Sequence, residues 1–257
     1  MPTATIDELF EDAKARAQRL PTDFRARSDL WQIFAVRGEG DRARKQLDLM
    51  MQIDSSWAME VQACHGLLLA EDERLKIFTG VKPPVCLGTP PDWFAKSVVA
   101  VGMVAAGHAE AAAKLLSEVR DEAQALHGTL NQGPFEWLCD GDARIGPYLE
   151  VIVQGRYFWA PWQSLRSLVT RPPTEMRDML WQQAMVEVTE EGPIEAFIPV
   201  RYPHPRNSDE SLSRRTDWEP LATDLYIGYG QKTLFTNDNS CGYLDIRKLD
   251  FTAQGAV

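Results

Sequence analysis

Gly228-Tyr229-Gly230-Gln231-Lys232-Thr233 is the segment of this chain closest to a phosphate-binding loop. Such a loop needs four residues between its glycines and a Gly directly before the Lys, so that backbone amides can cradle the phosphate. Here one residue separates the glycines and Gln231 precedes Lys232. The spacing points instead to a glycine-kinked strand pair. Asp140, Asp142 and Glu150 are the carboxylates most easily imagined around a metal. Calcium would require further oxygen ligands at close spacing, and these are missing. An Asx-type turn capping local amides accounts for the two aspartates. The four cysteines, Cys64, Cys86, Cys139 and Cys241, form no C-x-x-C pair and read as free thiols. Cys64 and His65 are adjacent on a predicted helix and point about 100° apart, a poor arrangement for one metal. His65, His108, His127 and His204 are scattered, with no G-x-S-x-G or H-E-x-x-H around them. No catalytic residue, metal or cofactor is expected, although residues distant in sequence can still meet in a fold.

Two further sets remain. Arg144, Arg156, Arg177, Arg201 and Arg215 are dotted along the C-terminal half, with Asp142, Asp178 and Asp217 beside three of them. Arg–carboxylate forks could pin loops, or the arginines could line a polar groove that grips a peptide. Tyr157, Trp159, Trp162, Trp181, Tyr202 and Trp218 are a heavy aromatic load. Most should fill a core, and one or two on a rim would form a hot-spot surface.

The elements that must position these groups change character near residue 130. Twenty of 27 alanines precede it and all six tyrosines follow it. Alanine favours helix, tyrosine half-buried strands. The first predicted helix opens with a Thr5–Glu8 capping box and buries Ile6, Leu9, Phe10, Ala13, Ala17 and Leu20. It could pack on its own domain or on a partner, and the former is favoured. Further helices are predicted over 24–37, 42–53, 57–78 (capped by Ser55 or Ser56), from Thr89-Pro90 to about 106, and over 109–126. The similar segments at 38–50 and 105–119 suggest tetratricopeptide-like hairpins, with an irregular bundle as the alternative. Strands are predicted at 149–153, 157–160, 168–170, 185–189, 194–200, 225–228, 233–235 and 243–249. A short helix is predicted over 176–183, and a polar, mobile loop over 203–213. The fold class is therefore α+β: a helical TPR-like domain, residues 1–128, followed by a β-rich domain, residues 129–257, built as a small, mostly antiparallel barrel or bent sheet.

Bulk properties narrow the function. The net charge is −10. Residues 1–130 carry 15 basic and 19 acidic side chains, and the remainder 12 and 18. Neither half offers the cationic face that nucleic acid or an anionic membrane requires. No apolar run reaches 18 residues, and the acidic, amphipathic start is unlike a secretory signal, so a cytoplasmic location is expected.

The run Asp140–Trp162, DGDARIGPYLEVIVQGRYFWAPW, is followed by RPPTEMRDMLWQQA (171–184), FIPVRYP (197–203), SRRTDW (213–218) and GYGQK (228–232). In this order these motifs resemble the ImpE/TagJ (SciE-type) accessory proteins of bacterial type VI secretion systems, closely over about 120 C-terminal residues and loosely before them. In that family the last motif often ends in arginine. Lys232 is a departure, which puts in doubt any role needing a bidentate guanidinium. The resemblance implies a non-enzymatic cytoplasmic adaptor. It also implies association with the small subunit of the contractile sheath and, through it, with the ClpV ATPase. Arg156, Tyr157, Trp159, Trp162, Arg201, Tyr202, Arg215 and Trp218 are the candidate partner-binding residues. The alternative is a small-molecule-binding or hydrolytic enzyme using an Asp/Arg-rich cleft. It would be told apart by a deep pocket of titratable groups. Self-association is left open.

Overall fold

A computed structural model describes residues 4–223 and 225–252, so the outer limits of the two expected domains, residues 1 and 257, lie outside the described residues. Six helices come first: α1 (Ile6–Arg19), α2 (Phe24–Val36), α3 (Gly40–Ile53), α4 (Ala58–Phe78), α5 (Phe94–Ala105) and α6 (Ala109–Glu122). The capping box forms: the Thr5 hydroxyl accepts from Glu8 N–H at 3.2 Å, and the Glu8 carboxylate accepts from Thr5 N–H at 2.7 Å. Ile6, Phe10, Ala13 and Ala17 are buried, and Phe10 meets Phe34 of α2 at 5.4 Å between ring centroids. The first helix thus packs on its own helical neighbours. Gly38 (φ +77°) and Gly107 (φ +81°) turn the chain between α2 and α3 and between α5 and α6, a conformation that only glycine adopts freely.

Three helix boundaries differ from expectation. Asp54, not Ser55 or Ser56, supplies the cap before α4: it accepts from Ser56 N–H at 2.9 Å, and Ser55–Trp57 forms a 3-10 turn. Thr89 does not start α5. The Pro-rich stretch before it stays extended and bonds to the sheet, with Leu87 N donating to Trp159 O (2.9 Å) and Trp159 N to Val85 O (2.8 Å). α6 ends at Glu122, which frees Leu126 to enter the core of the sheet.

The strands are β1 (Gly128–Leu130), β2 (Gly133–Phe135), β3 (Leu138–Asp140), β4 (Tyr148–Val153), β5 (Arg156–Pro161), β6 (Leu165–Thr170), β7 (Trp181–Val188) and β8 (Gly192–Pro199). After a short helix, α7 (Ser208–Ser211), come β9 (Thr216–Ala222), β10 (Leu225–Gly230), β11 (Thr233–Thr236), β12 (Ser240–Gly242) and β13 (Lys248–Phe251). Eight strands form one sheet in the order β2-β1-β13-β6-β7-β8-β4-β5; β9–β10 is a ribbon, and β12-β11-β3 a small third sheet. All paired strands are antiparallel. The end strands β2 and β5 do not pair with each other, so the large sheet is open rather than a closed barrel.

The helix expected over 176–183 is only a 3-10 turn, Met176–Met179, and Trp181–Gln183 belong to β7. Pairing of Trp181 with Pro199 and of Gln182 with Ile198 outweighs the local helical preference. The strand expected over 243–249 is split into a 3-10 turn, Tyr243–Asp245, and β13. The 203–213 segment contains α7, anchored by the fully buried Glu210, which accepts from Arg206 N–H at 2.5 Å.

One apolar cluster runs from Ile6 through α2 and α4 to Tyr148, Trp159, Trp181 and Tyr202; a second fills the interior of the sheet around Trp162, Leu168 and Ile198. Helices and strands therefore share a core. At one point they meet backbone against backbone: a Cβ on Gly66 of α4 would lie 3.0 Å from Cα of Gly155 in the β4–β5 turn.

Candidate functional site

The carboxylates singled out in the sequence do converge, but around protein cations. Glu150 on β4 is fully buried. It accepts from Arg74 Nε on α4 (2.6 Å), Arg74 Nη2 (3.2 Å), Lys232 Nζ (2.5 Å) and the Tyr157 hydroxyl (2.5 Å). Trp159 Nε1 donates in turn to the Tyr157 oxygen at 2.7 Å. Asp140 lies 3.2 Å from Lys232 Nζ and accepts from the hydroxyls of Tyr202 (2.8 Å) and Tyr243 (2.9 Å). Asp140 Oδ1 also takes the N–H of Asp142 at 2.9 Å, the expected Asx turn. Asp142 forks to Arg144 through Nε (2.9 Å) and Nη2 (2.5 Å) and caps Gly228 N–H at 3.0 Å. The glycine at 228 is required by packing: a Cβ there would sit 2.3 Å from the Tyr202 ring.

Electrostatics decides the protonation states. Burial raises the pKa of Glu150, but Arg74 and Lys232 outweigh it and hold the carboxyl at about 2. Burial raises that of Asp140, with Lys232 opposing. Burial, then the neighbouring carboxylates, push Tyr157, Tyr202 and Tyr243 well above the usual phenol range, so each keeps its proton and donates it. Lys232 thus has a place in the fold unlike a phosphate-loop lysine. It is fully buried, its N–H bonds Val200 O at 2.8 Å, and its ammonium sits between Asp140 and Glu150 where a metal ion had been conceivable. Among the described residues no group of three or more His, Cys, Asp or Glu is arranged to hold a metal. Burial lifts the thiols of Cys64, Cys86 and Cys139 to about 11, so none is a thiolate at neutral pH.

Above Asp140 the surface opens into a groove of about 1040 Å³ between α6 and the β3, β9–β10 and β11 strands. Leu116, Val119 and Leu126 form the helical wall, Trp93 and Trp162 lie deeper, and Trp137, Trp218, Tyr226 and Phe235 line the opposite side. Trp137, Trp218 and Tyr226 remain 42, 36 and 48% exposed, unusual for residues of their size. Trp218 is met edge-on by Tyr202 (5.6 Å) and at a tilt by Phe235 (5.9 Å), so its ring is held in place. Lys114, Arg120 and Glu110 supply a polar margin. Trp162 Nε1 is enclosed and has no hydrogen-bond partner among the described residues.

The eight residues proposed from the sequence separate into two groups. Tyr157, Trp159 and Tyr202 are buried in the interior, and Trp162 and Arg201, at most 5% exposed, reach only the walls of cavities rather than the outer surface. Arg156, Arg215 and Trp218 face solvent, and of these only Trp218 lines the groove. Arg156 stacks on Phe158 at 5.2 Å. The fork expectation holds for Arg144 with Asp142 and as an ion pair for Arg215 with Asp217. Arg177 instead pairs with Glu175 (3.0 Å) and Glu60 (3.9 Å). Arg74, Trp137 and Tyr226 were not singled out in the sequence. Trp137 lies outside every quoted motif, and Arg74 stands in Glu71-Asp72-Glu73-Arg74, which looks like a solvated helix face.

Fold and site define a class of protein in which helical hairpins are clamped to antiparallel sheets by buried ion pairs, with an aromatic groove at the junction. A family model described as ImpE protein matches residues 132–250. The type VI secretion system accessory component TagJ of Pseudomonas aeruginosa is 34% identical over 249 residues, which cover 96% of this chain and 87% of that protein. A crystal structure of a Vibrio parahaemolyticus protein, 21% identical, has a TM-score of 0.89 over 96% of this chain and 94% of its own. The chain belongs to the ImpE family, that of the type VI secretion accessory component TagJ. No helix among the described residues is long and apolar enough to cross a membrane.

Proposed function

We propose that this protein is a non-enzymatic, cytoplasmic adaptor of a type VI secretion system. It captures a segment of the sheath's small subunit in the aromatic groove and thereby influences how the ClpV ATPase handles the sheath. The observation that carries this reading is the rim of Trp137, Trp218 and Tyr226 around an apolar trough of about 1040 Å³. Rigid aromatic side chains give contact area at small entropic cost, which suits capture of an amphipathic segment. The ionisable groups favour the same reading, because Arg74, Arg144, Lys232, Asp140, Asp142 and Glu150 are mostly partners of one another. A hydrolase would instead aim such groups at a substrate.

Within this reading Trp218, and beside it Arg215, meet the partner, while Tyr157, Trp159, Trp162, Arg201 and Tyr202 hold the shape behind it. The two-part organisation at 128/129 serves as scaffold and clamp. Calorimetry of the full chain with the purified sheath subunit tests the proposal. Affinity of micromolar order, about −8 kcal/mol, is the expected result. Absence of binding at about 50 μM, far above that value, would reject it.

A further inference from the structure

Among the described residues four basic side chains are buried: Arg74, Arg144, Arg201 and Lys232. Three are neutralised. Arg74 turns its Nε–Nη2 edge to Glu150, Arg144 turns the same edge to Asp142, and Lys232 lies between Asp140 and Glu150. Arg201 differs. Its Nη1 donates to two carbonyls, Val36 O (2.8 Å) and Ser211 O (2.6 Å), and among the described residues no carboxylate lies within 4.0 Å of it. Its Nε–Nη2 edge, the one that forks carboxylates in Arg74 and Arg144, donates to no group among the described residues. Neither nitrogen is among the enclosed, unpartnered atoms, so the edge stays reachable.

Arg201 lines a second cavity, of about 270 Å³, between α2, α4 and the segment after β8. Besides Arg201, its walls include Ala35, Leu68, Trp181 and His204. His204 is held in the left-handed region at φ +59°, an uncommon backbone state for a non-glycine residue. Two acidic residues also line it, but both are engaged: Glu71 accepts from Arg74 (3.2 Å) and Trp181 Nε1 (3.2 Å), and Asp72 pairs with Arg44. Arg37 at the wall is likewise paired, with Glu39 at 2.6 Å.

We propose that this cavity binds a carboxylate, which docks side-on to the Nε–Nη2 edge of Arg201. The planar fork matches two carboxylate oxygens, and a buried guanidinium without a counter-charge is otherwise an unfavourable arrangement. Burial pushes the Arg201 pKa down to about 10, against the pull of Glu71, and leaves the side chain charged at neutral pH. The cavity is separate from the aromatic groove and shares none of its lining residues, so the inference stands apart from sheath capture.

The test titrates the full chain with sodium acetate, against sodium chloride at equal ionic strength, by calorimetry and thermal melting. The expected result is saturable binding of acetate, with a rise in melting temperature that chloride does not give. Arg201→Lys keeps the charge but loses the fork, and should weaken acetate by about tenfold or more. Because Arg201 also holds two carbonyls, a second variant leaves it intact: Ala35→Leu fills the wall and should weaken acetate similarly. A blocked tripeptide with a central glutamate distinguishes the source. Binding at least about tenfold tighter than acetate points to an acidic side chain of another protein, and equal binding to a free small acid. Acetate behaving as chloride does, or binding unchanged in both variants, would overturn the proposal.

Discussion

Arg74 of α4 and Glu150 of β4, 76 residues apart, share two hydrogen bonds of 2.6 and 3.2 Å, and neither side chain is more than 1% exposed. This contact ties the helices to the sheet. Arg74 Nη2 also donates to Arg201 O at 2.9 Å, so one guanidinium holds both β4 and the segment after β8. Removing Arg74 breaks the fork and leaves the buried Glu150 with Lys232 as its remaining cation, at a cost of about 3 kcal/mol, the lower end for a broken buried pair. Arg74→Met should therefore lower the unfolding free energy by that amount in urea denaturation. A loss below about 1 kcal/mol, typical of a solvent-exposed pair, would show that the contact is hydrated rather than a lock.

Acid should test the same carboxylate. The Glu150 carboxyl is held at about 2, below its ordinary 4.5. A depressed acid pKa gives stability that is complete above pH 4.5 and is lost as pH falls towards 2, roughly 3 kcal/mol across the window. Asp140 acts with the opposite sign: its raised pKa means that the folded state takes up that proton first, which adds stability on acidification. Urea midpoints at pH 7, 4.5 and 2.5 should fall more steeply for the natural chain than for Glu150→Gln. Asp140→Asn should steepen the fall further. Parallel curves for the natural chain and Glu150→Gln would contradict the assignment.

Signals confined to a few residues were legible. The Thr5–Glu8 box, the Gly38 and Gly107 turns and the division between helix and strand all follow from local chemistry. Strands β1 and β2 were not: each has three residues, and glycine and proline make up half of Gly128–Leu130 and Gly133–Phe135 taken together. β9 was hidden by Pro220, tolerated next to an irregularity in its pairing with β10. At the site, Asp140, Asp142 and Glu150 stood out as a set, but their partners come from α4 and from beyond β10, and no spacing rule links position 150 to 74 or 232. The aromatic load was visible in the sequence, whereas its sorting into interior and rim is a tertiary property. Trp159 and Trp162 are sealed while Trp137 and Trp218 are not.

The groove makes a separate prediction about binding. Trp137→Ala and Trp218→Ala remove half-exposed rings, so the chain should stay folded, with the melting temperature nearly unchanged for Trp137 and modestly lower for Trp218, which packs on Tyr202 and Phe235. If the groove grips the sheath subunit, each should weaken that interaction by about 2 kcal/mol, close to 30-fold. Arg156→Ala, outside the groove, serves as the control and should change affinity less than about threefold. Equal, small effects of all three in calorimetry would place the contact elsewhere.

Lys232 allows the ionic centre to be dissected. Its ammonium is shared by Asp140 and Glu150, and Glu150 has a second cation in Arg74, whereas Asp140 has only tyrosine hydroxyls and one backbone N–H besides. Deleting the ammonium should therefore hurt Asp140 more than Glu150. Lys232→Met is expected to cost about 3–5 kcal/mol. Adding Asp140→Asn to that variant removes the stranded charge and keeps one acceptor oxygen, while the tyrosine hydroxyl that meets the amide nitrogen must turn to accept from it, so the double variant should recover part of the loss. Adding Glu150→Gln instead leaves Asp140 without its cation and leaves Arg74 with Glu71 alone, so it should recover less. A double-mutant cycle in urea measures the difference directly. Coupling of Lys232 to Asp140 above its coupling to Glu150 is the expected order, because the electrostatic value of a buried cation depends on what else neutralises each neighbour.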